Sequence, residues 1–357
     1  MRDAHSLARQ VRRNCTISDA RFAGLYSVCE LVMRLRDLYK WEHSIAPHEE
    51  HEASQILDWI GRKETSWEDL QESEFVDLRI DGQRIDPFDT QKINRLIEPL
   101  GLFYGAGYAQ RLKPSFLLAT LERKSEIKGH PVVFLASEQA RDLLTIPALT
   151  QDSTIVVRKS AVELFVWDQM LYLSQSGQSY FQFALSACGI LEKDFSSLRH
   201  CLPKVVAAQQ DSFLYHEVGE LTDTNFDRSL WRDIIAALPH TRTELLVRAV
   251  KDILADTCPE GTLHHIARSR QAAALGFYAA FLDGLRKKLF PEIRTALACF
   301  MRDGDWPAVM TMIRAVHVRA TTMALTISSL FVEGTQHHTP AWVDEELSRR
   351  YIDPLTS

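Results

Sequence analysis

Two neighbouring segments of the chain carry histidine and carboxylate side chains at helical spacing. The first contains His216-Glu217-x-x-Glu220, and the second ends in Asp252-x-x-x-Asp256. Because residues three or four apart share one face of a helix, these groups could converge on one divalent ion. Oxygen and imidazole ligands favour iron, manganese or zinc. We therefore predict a metal site with His216, Glu220, Asp252 and Asp256 as ligands and Glu217 as a general base.

The first of the two predicted helices leaves the orientation of its histidine open. Leu214, Val218 and Leu221 form one apolar stripe, which lies well over ~100° around the helix from His216 and Glu220. A helix buried on one side only would therefore leave this histidine and this glutamate in water. A helix buried on two sides would bring them inside, where they could bind an ion.

The second predicted helix points to burial of its acids. Continuing its apolar stripe places Asp256 on the buried face and Asp252 at the edge of that face. An unpaired buried carboxylate is costly, and the helix dipole disfavours negative charge near a C-terminus. We expect compensation by a metal ion, by Arg248 or Arg270, or by fraying that keeps both acids hydrated.

A second His-Glu-x-x-Glu arrangement lies near the N-terminus. Pro47 is expected to open a helix that places His48 and Glu52 one turn apart, with Glu42 at the end of the preceding helix. We add His48 and Glu52 to the predicted metal ligands. The alternative is that these acids stay solvated in a first helical turn, where they suit the helix dipole.

Composition limits the classes of partner. The net charge is −6 and the pI is near 6.1, and the longest basic run is Arg286-Lys287-Lys288. This balance predicts no binding to nucleic acid. A hydrophobic content of 46% is enough for a proper core.

The cysteines and the hydropathy pattern predict a cytoplasmic protein that does not interact with membranes. The six cysteines show no C-x-x-C pair and no zinc-type spacing, which is typical of reduced core thiols. No unbroken apolar stretch reaches the ~18 residues of a membrane span, and the N-terminus lacks the apolar core of a secretory signal.

Several common chemistries are not supported by motifs. A zinc peptidase would need H-E-x-x-H, and both copies here lack the second histidine. There is no G-x-S-x-G, no Cys/His signature, and no Walker or Rossmann pattern.

The N-terminal half, residues 1–174, is predicted to be mainly helical with a small β element. Its hairpin turns at Asp81-Gly82, which supplies positive φ. Glycines and aromatic residues from Gly101 to Tyr108 predict a loop that packs or acts as a lid. The alternative is an aromatic ligand pocket near Tyr104 and Tyr108. Further elements are a helix from Ser18 to Glu42, helices at Pro114 to Lys124 and from Ser137 to before Pro147, strands at Val132 to Leu135 and 154–158, and a helix at Ala161 to Leu173.

After the polar stretch Ser174 to Ser179, residues 180–357 are predicted to be all helical, and this stretch is taken as a soft domain boundary. The predicted helices are Tyr180 to Leu191, Asp194 to His200, Pro203 to Leu221, Ser229 to Leu238, Thr241 to Asp256, Thr262 to Phe290, Glu292 to Met301, Pro307 to Phe331 and Ala341 to Tyr351. The fold class is therefore predicted as mainly α, a multi-helix bundle-like protein.

Two functions from different classes fit this sequence. One is a divalent-metal protein with oxidative or hydrolytic chemistry, its ligands on facing helices. The other is a non-catalytic helical scaffold or adaptor whose acidic faces are solvated surface. A protein partner or a homo-oligomer is compatible with both, because buried and exposed helix seams share one sequence pattern.

Overall fold

A computed structural model describes residues 4–109, 112–191 and 195–355, with the side chains of 195–197 left aside. The chain divides into two compact units, Met1–Asp168 and Gln169–Ser357. The start of the predicted helix at Asp194 lies outside the described residues.

Among its described residues, the N-terminal unit has five α-helices, the last of which runs on into the C-terminal unit. They are α1 (Ala4–Phe22), α2 (Val28–Glu42), α3 (Ala53–Glu68), α4 (Thr90–Ile97) and α5 (Lys159–Leu171), with short 3-10 helices at Ala23–Leu25 and Glu98–Leu100.

The predicted helix from Ser18 to Glu42 is wrong, because α1 and α2 meet at a break. Ser27 caps α2 by accepting a hydrogen bond from the backbone N–H of Glu30. Ser18 is not a cap; it is buried inside α1 and donates its hydroxyl hydrogen to the carbonyl of Pro114. Serine favours the first position of a helix, but Ser18 instead makes a buried tertiary hydrogen bond.

The small β-hairpin is confirmed. β1 (Leu78–Ile80) pairs antiparallel with β2 (Gln83–Ile85) through a turn at Asp81 and Gly82. Both turn residues have positive φ, 51° and 78°. This is the backbone geometry that a two-residue hairpin requires.

The N-terminal unit also contains a five-stranded mixed sheet that curls into a half-barrel. Its strands, in the spatial order β3-β4-β5-β7-β6, pair antiparallel except for β5 with β7, which are parallel. The strands are β3 (Leu102–Tyr108), β4 (Pro114–Ile127), β5 (His130–Arg141), β6 (Ala148–Gln151) and β7 (Thr154–Arg158).

This sheet overturns the prediction of a mainly α, bundle-like fold, although 65% of the structure is helical. The helix predicted at Pro114 to Lys124 lies in strand β4, and the first half of the helix predicted from Ser137 lies in strand β5. The first half of β4 is buried on both faces, so its residues do not alternate between polar and apolar. A strand of this kind cannot be told from a buried helix by periodicity.

Glycines allow β3 to lie close to β4, where a loop was predicted. A Cβ atom on Gly105 would lie 2.9 Å from Cγ of Leu117 on the paired strand. The glycine-rich stretch is therefore a strand with a tight neighbour, and the prediction of a loop that could act as a lid is wrong. A ligand pocket near Tyr104 and Tyr108 stays a prediction.

The C-terminal unit contains a hydrophobic core formed by helices. The helices are α6 (Gln178–Ala187), α7 (Phe195–Thr222), α8 (Arg228–Ala237), α9 (Arg242–Thr257), α10 (Thr262–Arg268), α11 (Ala272–Phe281), α12 (Gly284–Leu289), α13 (Glu292–Asp303), α14 (Trp306–His337) and α15 (Pro340–Leu347), followed by a π-helical turn at Ser348–Ile352 and a 3-10 turn at Asp353–Leu355.

The long helix predicted from Thr262 to Phe290 is three helices, α10 to α12. Arg270 adopts a φ of 52° between α10 and α11, and Gly284 a φ of 53° at the start of α12. Left-handed backbone at these points ends the regular helix. The apolar pattern continues across both breaks, which is why periodicity alone does not show them.

Among the residues that the structure describes, helix α14 is long and apolar enough to meet the length and composition requirements of a membrane span. Its most apolar window is 33% buried within the protein, and the core helices of soluble proteins meet the same requirements. Arg314 and Arg319 interrupt the helix, so it is not an unbroken apolar stretch of the kind expected of a membrane span.

Candidate metal centre

Helices α7 and α9 pack closely enough to bring their predicted ligands together. A Cβ on Gly219 of α7 would lie 2.1 Å from the carbonyl oxygen of Ala255 on α9, and a Cβ on Gly261 would lie 1.9 Å from the same oxygen. Only glycine permits this approach at both positions. The carboxylates near the end of α9 therefore lie beside the His216 turn of α7.

His216 is held from one side by a buried carboxylate. Its Nδ1 lies 2.8 Å from Oδ1 of Asp256, and the hydroxyl of Tyr278 donates to Oδ2 of the same carboxylate at 2.7 Å. Asp256 is 2% exposed, so its negative charge is sheltered. Because an ionised carboxylate can only accept hydrogen bonds, Nδ1 of His216 carries the hydrogen.

The other nitrogen of the ring faces the remaining acids. Nε2 of His216 lies 3.8 Å from Oε1 of Glu220. One ligand atom from each of His216, Glu220 and Asp252 can be chosen so that all three lie within 4.8 Å of one another. Ligands of one ion, with bonds of about 2.1 Å in a tetrahedral site, lie about 3.4 Å apart. A contraction of up to about 1.4 Å would close the cluster on an ion.

Two cations already contact these acids. Nζ of Lys251 lies 2.8 Å from Oε2 of Glu220, and Nε of Arg286 lies 3.8 Å from Oδ2 of Asp252. Lys251 also lies 4.3 Å from the ring centroid of Trp231. With His216 protonated, three cations would face three carboxylates, and the cluster would be neutral without a metal ion.

The charges shift the pKa values in the cluster. Burial alone would lower the pKa of His216, but the charge of Asp256, followed by those of Asp252 and Glu220, raises it to about 10. Burial raises the pKa of Asp252 even though Arg286 opposes it. For Asp256, burial acts upward, but the neighbouring imidazolium outweighs it and the pKa is lowered. A proton is thus the strongest competitor of a metal ion for His216.

The cluster is partly open to solvent. The side chains of His216 and Glu220 are 23% and 22% exposed, and that of Asp252 is 31% exposed. An ion could reach these three groups without unfolding of the helices. Asp256, at 3% side-chain exposure, lies behind the histidine and not in the opening.

The predicted general base, Glu217, lies on α7 and is 8% exposed. It does not belong to the group of three possible ligands. Its role as a base remains a prediction.

The N-terminal residues do not form a helical pair. His48 and Glu52 precede α3, which begins at Ala53, so they are not one helical turn apart. The ring of His48 packs edge-on against Trp167 at 6.0 Å, and Glu52 is exposed. Within the described ranges, neither belongs to a group of three possible metal ligands.

The segment before α3 fails to form the predicted helix, although Pro47 is a suitable first residue. Lys40, which is 6% exposed, donates to the carbonyl of Pro47 and ties the segment to α2. Glu42 is likewise already engaged, by Lys63 and by the indole N–H of Trp59. Tertiary contacts have replaced the local helical preference.

Three residues of the site were missed by sequence reasoning: Lys251, Tyr278 and Arg286. Lys251 and Arg286 compensate the acids in place of the predicted Arg248 and Arg270. Arg248 instead pairs with Glu244 at 2.9 Å. No spacing rule identifies Arg286, because its position depends on the break between α11 and α12.

Fold and site together define a two-unit protein, with a curled mixed sheet in one unit and a helical unit that holds a histidine–carboxylate cluster. Two family models match the chain: the N-terminal domain of a family of unknown function, DUF6866, at residues 6–158, and the C-terminal domain of the same family at residues 163–350. The chain belongs to the DUF6866 family. No curated protein and no solved structure matches it.

Proposed function

We propose that the C-terminal unit binds one divalent transition-metal ion through His216, Glu220 and Asp252. The observation that carries this proposal is the contact of Asp256 with Nδ1 of His216 at 2.8 Å. Metal-ligating histidines usually donate their second ring N–H to a carboxylate, which fixes the ring and makes the free nitrogen a better ligand. Here the free nitrogen is the one that faces Glu220.

The side chains around the proposed ion would have different roles. Asp256, oriented by Tyr278, positions the imidazole, while Glu220 and Asp252 supply the negative charge that an ion needs. Lys251 would have to withdraw from Glu220, and Trp231 gives its ammonium group another contact.

Imidazole and carboxylate ligands suit iron, manganese or zinc. With three protein ligands such an ion keeps open positions, where it can activate water for hydrolysis or support oxidative chemistry. Glu217 is the proposed general base in the hydrolytic case. The acidic net charge and the unpaired cysteines support a cytoplasmic protein that does not bind nucleic acid.

Elemental analysis of protein purified without chelator tests the metal proposal. We expect close to one iron, manganese or zinc per chain, lost in the double variant His216→Ala with Glu220→Ala. A matched control is His265→Ala with Asp211→Ala, since that pair lies 3.5 Å apart in the same unit but outside the cluster. A metal-free wild type that also takes up no added metal would contradict the proposal.

A second candidate is a non-catalytic helical scaffold, and one observation favours it. Lys251 and Arg286 already face Glu220 and Asp252, so the cluster has an internal charge balance. In that case the His216→Ala and Glu220→Ala variant would lower the melting temperature of a metal-free protein, and chelators would have no effect on the wild type.

A further inference from the structure

Helix α14 has an exposed face whose residues do not pack in the hydrophobic core of its unit. Its inner side is buried at Val309, Ile313, Val316, Ala320 and Ile327. On the opposite side, eight exposed positions follow one another at alternating intervals of four and three residues. These positions, here called the outer seam, are Thr311, Ala315, Val318, Thr322, Leu325, Ser329, Val332 and Gln336.

The composition of the outer seam is unusual for a solvated surface. None of its residues is charged, and Val318, Leu325 and Val332 are 66%, 57% and 41% exposed. Alternation of three and four residues is the spacing of a coiled-coil contact line, and the seam spans more than three heptads. At 1.5 Å per residue this is about 39 Å of helix.

The two rows of the outer seam are complementary to each other. The first row consists of the small or polar residues Ala315, Thr322, Ser329 and Gln336. The second row consists of Thr311 followed by the aliphatic residues Val318, Leu325 and Val332. An antiparallel copy, related by a two-fold axis between Met323 and Ala324, places every member of one row opposite a member of the other. A two-fold interface requires this self-complementarity.

In that arrangement the branched aliphatic residues meet small ones. Ala315 lies opposite Val332 of the second copy, Thr322 opposite its Leu325, and Ser329 opposite its Val318. Alternation of large and small side chains across a contact allows close interdigitation.

The charges beside the outer seam do not oppose this arrangement. Arg314 is exposed on one flank of the seam and Glu333 on the other, because Arg314 directly precedes a seam position and Glu333 directly follows one. A two-fold axis across antiparallel helices places each flank beside the same flank of the second copy. Arg314 therefore lies far from Arg314 of that copy, and Glu333 lies far from Glu333, so like charges are not brought together.

We propose that α14 forms an antiparallel two-fold contact with α14 of a second copy of this chain through the outer seam. The contact is independent of the metal cluster, whose ligands lie on α7 and α9. It also explains why a helix that is only partly buried carries so few charges.

Sedimentation equilibrium of the full chain tests the proposal. We expect a concentration-dependent dimer whose dissociation constant rises at least about 100-fold in Leu325→Glu, because a charge buried at the centre of an interface is left unpaired. The matched control is Met301→Glu, which replaces another exposed hydrophobic residue, on α13, and should leave the dimer intact. A wild-type monomer, or a dimer that Leu325→Glu does not weaken, would overturn the proposal.

Disulfide cross-linking tests the direction of the helices. In a background with the exposed Cys29 and Cys299 changed to Ser, Val318→Cys and Ser329→Cys variants are oxidised separately and as a mixture. The antiparallel contact predicts cross-linking in the mixture only. Cross-linking of each variant with itself would overturn the antiparallel arrangement. Wild-type monomers that bind phosphatidylcholine vesicles through this face would show a membrane surface as its occupant and would also overturn it.

Discussion

His216 has two different neighbours at its two ring nitrogens. On one side Asp256 and Tyr278 fix the ring, and on the other side the nitrogen faces Glu220. The buried acid behind the ring raises the pKa of the imidazole and would also strengthen it as a metal ligand. Proton and metal ion therefore compete for the same nitrogen, and metal binding should release a proton.

Changing Asp256 to Asn tests the electrostatic part of this description. The amide oxygen can still accept a hydrogen bond from His216, but the negative charge is lost. We expect the pKa of His216 to fall from about 10 towards its ordinary value of 6.5. An NMR titration of the His216 ring measures this, and an unchanged pKa in the Asn variant would contradict the assigned cause.

The stability of the fold should depend on pH through the same histidine. Because its pKa is raised from 6.5 to about 10 on folding, its stabilising contribution is complete below pH 6.5 and is lost as the pH rises towards 10. His216→Gln should lower the free energy of unfolding by about 3 kcal/mol at the acidic end of this range. Urea unfolding of both proteins across the range measures the difference, which should shrink with rising pH; a constant difference would refute the linkage.

A substitution at Lys251 distinguishes the metal-binding hypothesis from the scaffold hypothesis. Lys251→Met removes the cation that competes for Glu220 and keeps the apolar stem over Trp231. We expect divalent-metal affinity to rise about tenfold or more, while the free energy of unfolding falls by about 1 kcal/mol.

Calorimetric titration with Zn²⁺ or Mn²⁺ and urea unfolding give these two values for Lys251→Met. Lys287→Met is a suitable control, since Lys287 bonds to Ser176 and lies outside the cluster. A loss of stability with no gain in affinity would favour the scaffold.

At the residue scale, the sequence indicated which side chains of α7 and α9 would lie near one another, while their role as metal ligands stays a prediction. Helical spacing sets which residues of one helix share a face, so His216 with Glu220 and Asp252 with Asp256 could be paired in advance. The compensating Arg286 could not, because it comes from a helix that only a backbone break brings into place.

At the element scale, the cluster depends on the close contact between α7 and α9. Gly219→Ala would place a methyl group 2.1 Å from the Ala255 carbonyl oxygen, so the helices must separate. We expect the free energy of unfolding to fall by about 2 to 3 kcal/mol and metal affinity to fall with it. Urea unfolding and metal titration measure both effects.

The control for this change is Gly61→Ala in α3, where a new methyl group would meet no atom within 4 Å. Alanine there should raise the free energy of unfolding by about 0.5 to 1 kcal/mol, because it favours the helix. Equal effects at both glycines would show that helix propensity, and not close packing, decides the outcome at Gly219.

Elements were predictable where local signals and tertiary packing agree. The Asp81-Gly82 hairpin and strand 154–158 appeared where expected, because turn chemistry and β-branched residues mark them. Strand β4 did not, since its Leu, Ala, Glu and Lys residues favour a helix in isolation. Its pairing with β3 and β5 overrides that preference.

At the scale of the whole molecule, the chain contains two compact units with different architectures. The prediction of one fold class for both failed because the helical content of the C-terminal half was extended to the N-terminal half. Most pairings in the sheet of the N-terminal unit join consecutive strands, and only β5 with β7 skips a strand. The sheet was missed because the buried part of β4 shows no alternation between polar and apolar residues, which leaves no strand periodicity in the sequence.

The division into two units can be tested by asking whether the helical unit folds and binds metal without the sheet-containing unit. Residues 174–357 begin after α5 and contain all the proposed ligands of the metal cluster. We expect this fragment to unfold cooperatively in urea and to bind metal within about threefold of the full chain, because it contains every residue of the large buried cluster that includes α9 and α14. A fragment that is unfolded on its own would show that the helical unit needs the sheet-containing unit to fold.

The central claim is tested most directly by isothermal titration of the chelator-treated full chain with Zn²⁺ and with Mn²⁺ in separate experiments, at pH 7 and at pH 9. We expect one site per chain for at least one of the two ions, and no binding in the His216→Ala and Glu220→Ala variant. Binding should be tighter at the higher pH, because His216 must lose its proton before it can bind the ion. Absence of binding at both pH values, or equal binding in that variant, would contradict the claim.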